Sequence, residues 1–207
     1  MVKRDQKTPD QRQQEAVVRI MKRIFPIIIC ALALGSCSIG YPSFYTLSAE
    51  GPSPDTDGIR IGVGPVILAE YMDRPNLVVQ TSANQMEVAE RHLWAGDLDN
   101  SISRVLSVNL GRQLNTGNVR TYPWLRDSEV DYQVAMDIRE FVAGSDGYAH
   151  LEASWRVYSL PGRKLNASKT FIDKEPIKKE SFESMVAAQS ELLRRLSVDI
   201  AKNISKR

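Results

Sequence analysis

The chain has 207 residues, with 27 Lys and Arg set against 25 Asp and Glu for a formal charge of +2. That length fits one ordinary domain behind a leader, and 43% hydrophobic residues are enough to bury a core. The even charge balance, without a basic face, argues against a nucleic-acid partner. Two cysteines, Cys30 and Cys37, both stand near the front, so the rest of the chain has no disulfide framework and no thiolate metal site. Two histidines, His92 and His150, are too few for a multi-histidine metal centre.

Residues 1–20 are polar and charged, as in Asp5-Gln6-Lys7 and Gln11-Arg12-Gln13-Gln14. Met21-Lys22-Arg23 then leads into an apolar run over 24–34. A short basic segment before such a run is the layout of a secretory leader. The run falls short of the roughly 20 apolar residues that a transmembrane helix needs. Residues 1–20 therefore read as a misplaced start upstream of the initiator Met21, with a genuine polar extension as the rival reading, and 21–36 read as the leader.

The leader ends in Leu34-Gly35-Ser36-Cys37, which resembles the lipobox of bacterial lipoproteins. The processing peptidase needs small side chains beside the cut. Cleavage is therefore expected between Ser36 and Cys37, with diacylglycerol on the Cys37 thiol and acylation of the new amino group. Several acyl chains anchor stably, because each buried methylene contributes about 0.8 kcal/mol and one chain alone is marginal. Cys30 is a poorer site, since the bulky Ile27, Ile28 and Ile29 precede it. Ser38, where an inner-membrane lipoprotein often carries Asp, resembles outer-membrane sorting. The expectation is a lipid-anchored protein on the periplasmic face of the outer membrane. Residues 37–43 would be its lipidated cysteine and tether, and 44–207 its single domain.

In that domain, Phe44-Tyr45-Thr46-Leu47 reads as a first strand and the Gly-, Pro- and Asp-rich 50–58 as a loop. The alternation over 59–63 predicts a strand, with Pro65 placing it at an edge or a bulge. Residues 77–80 and 86–89 form a hairpin around Ser82-Ala83-Asn84. A helix follows, capped by Asp97, with Leu98, Ile102, Val105, Leu106, Leu110 and Leu114 on one apolar face and Gly117 closing it with positive φ. Residues 119–122 read as a short strand. The alternation around Tyr132, Val134, Met136 and Ile138, then Ala149, Leu151, Ala153, Trp155 and Val157, predicts a hairpin with one buried and one wet face. A further strand over 164–172 and a final helix over 181–204 complete the domain, with Phe182, Met185, Gln189, Leu192, Leu196 and Ile200 near one helix face. The fold class is α+β, an antiparallel or mixed sheet covered by two amphipathic helices.

Three stretches carry a family resemblance: Ile61-Gly62-Val63-Gly64-Pro65-Val66, Tyr71-Met72-Asp73-Arg74-Pro75, and Arg91-His92-Leu93-Trp94-Ala95 leading into Asp97-Leu98 and Arg104-Val105-Leu106. With the lipobox and the early Phe44-Tyr45-Thr46-Leu47, they resemble the paraquat-inducible protein C (PqiC) lipoproteins, also described as ABC-type transport auxiliary lipoproteins. Met72 and Leu93 depart from the Leu and Arg typical of that pattern. The resemblance implies a non-enzymatic subunit of an MCE-type intermembrane lipid transport system. It would partner an MCE-domain (PqiB-like) protein, dock the periplasmic conduit at the outer membrane and support membrane integrity. A homo-oligomeric ring would suit that task.

Tyr71, Asp73, Arg74, Pro75 and Trp94 are the candidate docking residues. For Asp73-Arg74-Pro75 the competing reading is a tight surface turn, and for Trp94 an anchor between loop and helix. Gly62-Val63-Gly64 lacks the later glycine and following helix of a dinucleotide loop. Tyr122, Trp124 and Tyr148 either edge an interaction surface or pack in the core. No nucleophile–base pair stands out, His92 and His150 show no obvious carboxylate partner, and neither a catalytic residue nor a cofactor is assigned. The alternative function is a structural anchor lipoprotein that binds peptidoglycan or assists an outer-membrane barrel.

Overall fold

Alternating apolar residues build the middle of a single eight-stranded mixed sheet. The computed structural model describes residues 21–22, 40–55, 57–126 and 129–204. The expected lipobox, its cut at Ser36 and Cys37 and nearly all of the leader lie outside the described residues. Within Pro42–Arg207 the strands are β1 (Ser43–Tyr45), β2 (Ile61–Leu68), β3 (Asn76–Ser82), β4 (Gln85–Trp94), β5 (Val119–Thr121), β6 (Tyr132–Gly144), β7 (Tyr148–Ser159) and β8 (Lys164–Pro176). The helices are α1 (Leu98–Leu114) and α2 (Phe182–Ala201). The expected α+β class, a mixed sheet with two helices, is the observed one.

Strand β6 organises the sheet. One of its edges pairs antiparallel with β7, which in turn pairs with β8. Its other edge is shared by two strands. β2 runs parallel to it from Tyr132 to Ile138, and β3 parallel at Ala143 and Gly144. Beyond them β4 pairs antiparallel with β3, β1 parallel with β4, and β5 parallel with β2. The chain leaves β2, makes a short 3₁₀ turn at Glu70–Met72 and re-enters the same edge as β3. That turn is where the Asp73-Arg74-Pro75 stretch lies.

The core joins both helices to β2, β6 and β7. All six apolar residues expected on the first helix are buried, as are Ala149, Leu151, Ala153, Trp155 and Val157 of β7. On α2 the buried face contains Gln189, Leu192, Leu196 and Ile200, but Val186 and Leu193 replace Phe182 and Met185, which stay partly exposed. Gln189 is tolerated there because its amide donates to Phe141 O at 3.1 Å, and buried polar groups need such partners.

Several local expectations shift. Pro65 sits at a bulge, between Val63 and Val66, and because β5 pairs only with Ile61–Val63, the rest of β2 is paired with β6 alone. The helix closes two residues early, at Asn115 (φ 49), whose short polar side chain tolerates the left-handed conformation expected at Gly117. Asp97 occupies the N-cap position, yet its carboxylate accepts from Asn100 Nδ2 at 3.3 Å and from no helix backbone N–H. Ser181 caps α2 by accepting from Ser184 N at 3.2 Å. The β6–β7 hairpin is drier than its alternation implies. Gln133, on the expected wet face, is 6% exposed and donates to Gly64 O at 2.9 Å.

Candidate functional site

Two of the three stretches that carry the resemblance, residues 71–75 and 91–95, meet after the end of β2, whereas residues 61–66 lie earlier in that strand, between β5 and the start of β6. After β2, Ala69 N still bonds to Ile138 O of β6 at 3.0 Å. The 3₁₀ turn then buries Met72, 2% exposed, and leaves Asp73, Arg74 and Pro75 exposed. The turn is closed by Asp73 N to Glu70 O at 3.2 Å and Arg74 N to Met72 O at 2.8 Å. Pro75 O accepts from Trp94 N at 2.7 Å, and Ala95 N donates to Tyr45 O at 2.8 Å. The main chain thus ties the loop to the end of β4 and to β1.

The candidate residues divide by position. Trp94 is 6% exposed and belongs to the core, so it holds the loop from beneath. Tyr71 is half-buried and donates from its hydroxyl to Arg139 O at 3.0 Å, in the stretch where β6 changes partner. Burial, aided by the nearby Glu140 charge, pushes the Tyr71 hydroxyl up to about 12. Asp73 and Arg74 point their charges outward without an ion pair among the described residues. The arrangement is a rigid platform that presents one carboxylate and one guanidinium.

The Tyr71 environment has a measurable consequence. A hydroxyl whose folded-state pKa lies above the unfolded value of about 10 stabilises the fold fully below that value. The contribution is lost as pH rises through about 12. Spectrophotometric titration is expected to show one tyrosine ionising near the upper value, and Tyr71→Phe to remove both that step and its share of the alkaline stability slope.

Other features were only partly legible. His92 stacks on Phe182, with centroids 3.6 Å apart, and its Nδ1 lies 2.8 Å from Tyr45 Oη, linking β4, β1 and α2. His150 does have a carboxylate partner. Asp146, four residues back across the β-turn, places Oδ2 3.0 Å from Nε2. Burial opposes ionisation of Asp146, but the His150 contact and the Tyr148 N–H outweigh it and hold the carboxyl below its usual range. The glycines of Gly62-Val63-Gly64 make room for two aromatic rings. A Cβ on Gly62 would stand 2.6 Å from the Trp124 ring, and one on Gly64 2.6 Å from Tyr122 Cβ. Tyr122 and Trp124 meet edge to face at 5.4 Å. Their pairing with the glycines could have been read only from the β2–β5 register. Among the described residues no helix is long and apolar enough to cross a membrane, and no His, Cys, Asp and Glu cluster could hold a metal.

Residues 45–201 match the family model described as the ABC-type transport auxiliary lipoprotein component. The chain belongs to this family. The match runs from the last residue of β1 to the last residue of α2, so it includes the convergent loop and its supports. The intermembrane transport lipoprotein PqiC of Escherichia coli (strain K12) is 28% identical over 135 residues, covering 62% of this chain and 71% of that one. Solved structures show the same fold. An uncharacterized protein superposes with a TM-score of 0.67 at 23% identity, covering 80% of this chain and 100% of its own. A Xanthomonas campestris protein gives 0.62 at 17% identity, covering 76% and 92%. This auxiliary transport lipoprotein therefore carries its loop motif on a fold shared with distant proteins.

Proposed function

We propose that this family member is lipidated at Cys37 after cleavage from Ser36 and held on the periplasmic face of the outer membrane. There it serves as a non-enzymatic subunit of an MCE-type intermembrane lipid transport system, docks an MCE-domain (PqiB-like) partner and supports membrane integrity. The observation that carries this reading is the family match over residues 45–201 together with the exposed Asp73-Arg74 pair on its buried supports. An exposed guanidinium on a stiff turn loses little side-chain freedom when it pairs with a carboxylate. Open edges on both sides, β8 on one and β1 with β5 on the other, permit head-to-tail addition of copies, the geometry that closes into a ring.

The test is co-purification with the cell's MCE-domain proteins after mild periplasmic crosslinking. Arg74→Glu is expected to reduce capture at least tenfold, since it reverses the charge at the platform. Trp94→Phe is expected to leave capture within about twofold, because the ring supports the loop from the core. No capture by a folded, lipidated chain would overturn the proposal, and a chain that sediments only as a monomer would remove the ring from it.

A further inference from the structure

The β1–β4–β3 end of the sheet carries apolar side chains on its outer face that no described residue covers. Leu77 of β3 belongs to the core, so its strand neighbours Asn76 and Val78 turn to the opposite face. Register carries that side across the three strands. Leu93 and then Phe44 lie beside Asn76, Val88 lies beside Val78, and Met86 beside Gln80. Phe44, Met86 and Val88 are 64%, 40% and 37% exposed, with Val78 and Leu93 partly exposed between them.

Chain length and strand direction say what meets this face. Phe44 follows Cys37 so closely that at most about 25 Å of chain separates it from a lipid attached there. Strand β1 runs parallel to β4 with Ser43 opposite His92. The chain therefore enters β1 from the side on which β4 begins at Gln85, the side of Met86 and Val88. Three partly covered side chains fall far short of the roughly 800 Å² per partner that a stable protein contact buries. A leaflet already held within reach by the anchor needs no such area, because the second contact is then intramolecular. The charged residues of β4 are Glu87, Glu90 and Arg91, so attraction to anionic headgroups is no part of the contact. We propose that this face of the β3–β4 hairpin, together with Phe44, rests in the interfacial layer of the leaflet that holds the Cys37 lipid. The inference rests on the anchoring proposed above and adds the face that the domain turns to the membrane. Phe44, Met86 and Val88 enter the layer between headgroups and acyl chains, where aromatic side chains concentrate, and the contact fixes the tilt of the domain on its tether.

The intact lipoprotein would be reconstituted into vesicles of phosphatidylethanolamine and phosphatidylglycerol, with an environment-sensitive fluorophore on Met86→Cys. Cys30 leaves with the leader and Cys37 carries the lipid, so no other thiol competes. The control is the same fluorophore on Leu165→Cys. Leu165 is exposed and lies across Tyr158 from Gln133, about 30 Å along β6 from the Ala143 that β3 pairs with. The expected result is a blue-shifted Met86 probe, quenched by headgroup-labelled spin lipid at least threefold more than the control. Val88→Asp and Phe44→Ser, both at exposed positions, should each lower that quenching at least twofold while leaving Tm unchanged. Vesicles of phosphatidylcholine alone should give the same quenching. A Met86 probe as wet as the control would overturn the proposal. So would quenching that both substitutions leave intact, or that appears only with phosphatidylglycerol. A blue-shifted probe that spin lipid does not reach would also overturn it and give the face to a protein partner. A chain whose N-terminal peptide shows no lipid mass on Cys37 would remove the proposed anchoring itself, whereas a lipidated chain with a wet probe would lose this inference alone.

Discussion

Replacing Trp155 by alanine is expected to lower the unfolding free energy by about 3–5 kcal/mol, the range for deleting a large buried aromatic side chain. Trp155 is 0% exposed and sits mid-strand in β7, opposite Met136 of β6 and Lys169 of β8. It belongs to the cluster that joins the sheet to both helices, so its loss opens a cavity that a paired central strand cannot collapse to fill. The indole Nε1 adds a sharper comparison, because it is buried without a hydrogen-bond partner. Trp155→Phe keeps most of the ring and removes that orphan donor, so it is expected to cost only about 1 kcal/mol. Urea unfolding of the three proteins measures both values. A phenylalanine variant as damaged as the alanine variant would show that the indole N–H is satisfied.

The second large effect is at Gly64. Its φ of +123° lies in a region that side chains avoid, and an added Cβ would come 2.6 Å from Tyr122 Cβ. Strain of about 1–3 kcal/mol and overpacking of similar size make Gly64→Ala about 2–6 kcal/mol less stable. Removing the Tyr122 ring should not rescue it, because alanine at 122 keeps the clashing Cβ and the backbone strain remains. Gly62→Ala behaves differently. Its Cβ meets the Trp124 ring at 2.6 Å, and Trp124 lies on a loop outside any strand or helix. Here Trp124→Ala should relieve the clash, with a coupling of about 0.5–3 kcal/mol in a double-mutant cycle. Additive losses at Gly62 and Trp124 would mean that the ring does not cover that glycine in solution.

The glycine pair shows where one-dimensional reading ends. Gly62-Val63-Gly64 is conspicuous in the chain, but its purpose depends on Tyr122 and Trp124, some sixty residues away. They reach it only because β5 pairs in parallel with β2 and brings Thr121 opposite Val63. Gln133 is similar. Alternation places it on a wet face, and it is dry because its amide reaches Gly64 O. The polar side chains of Asn109 and Arg112 are a further case: on a helical wheel both are ordinary polar interruptions, and only the packing of neighbouring segments over α1 buries their donors.

The sequence by itself determined the period of each element, and with it the α+β class, the burial of the first helix through Leu98 to Leu114, and the alternation of β7. Those properties depend on residues three, four or two apart, and such neighbours are fixed by the chain. It also placed the Asp73-Arg74-Pro75 turn and the nearby Trp94 in one motif set. Only the tertiary structure decided that β2 and β3 share one edge of β6, that the turn therefore falls in the gap between them, and that Trp94 supports it from within the core. Strand partnership is set by total burial and by hydrogen bonding over the whole sheet. No local window of residues contains that sum.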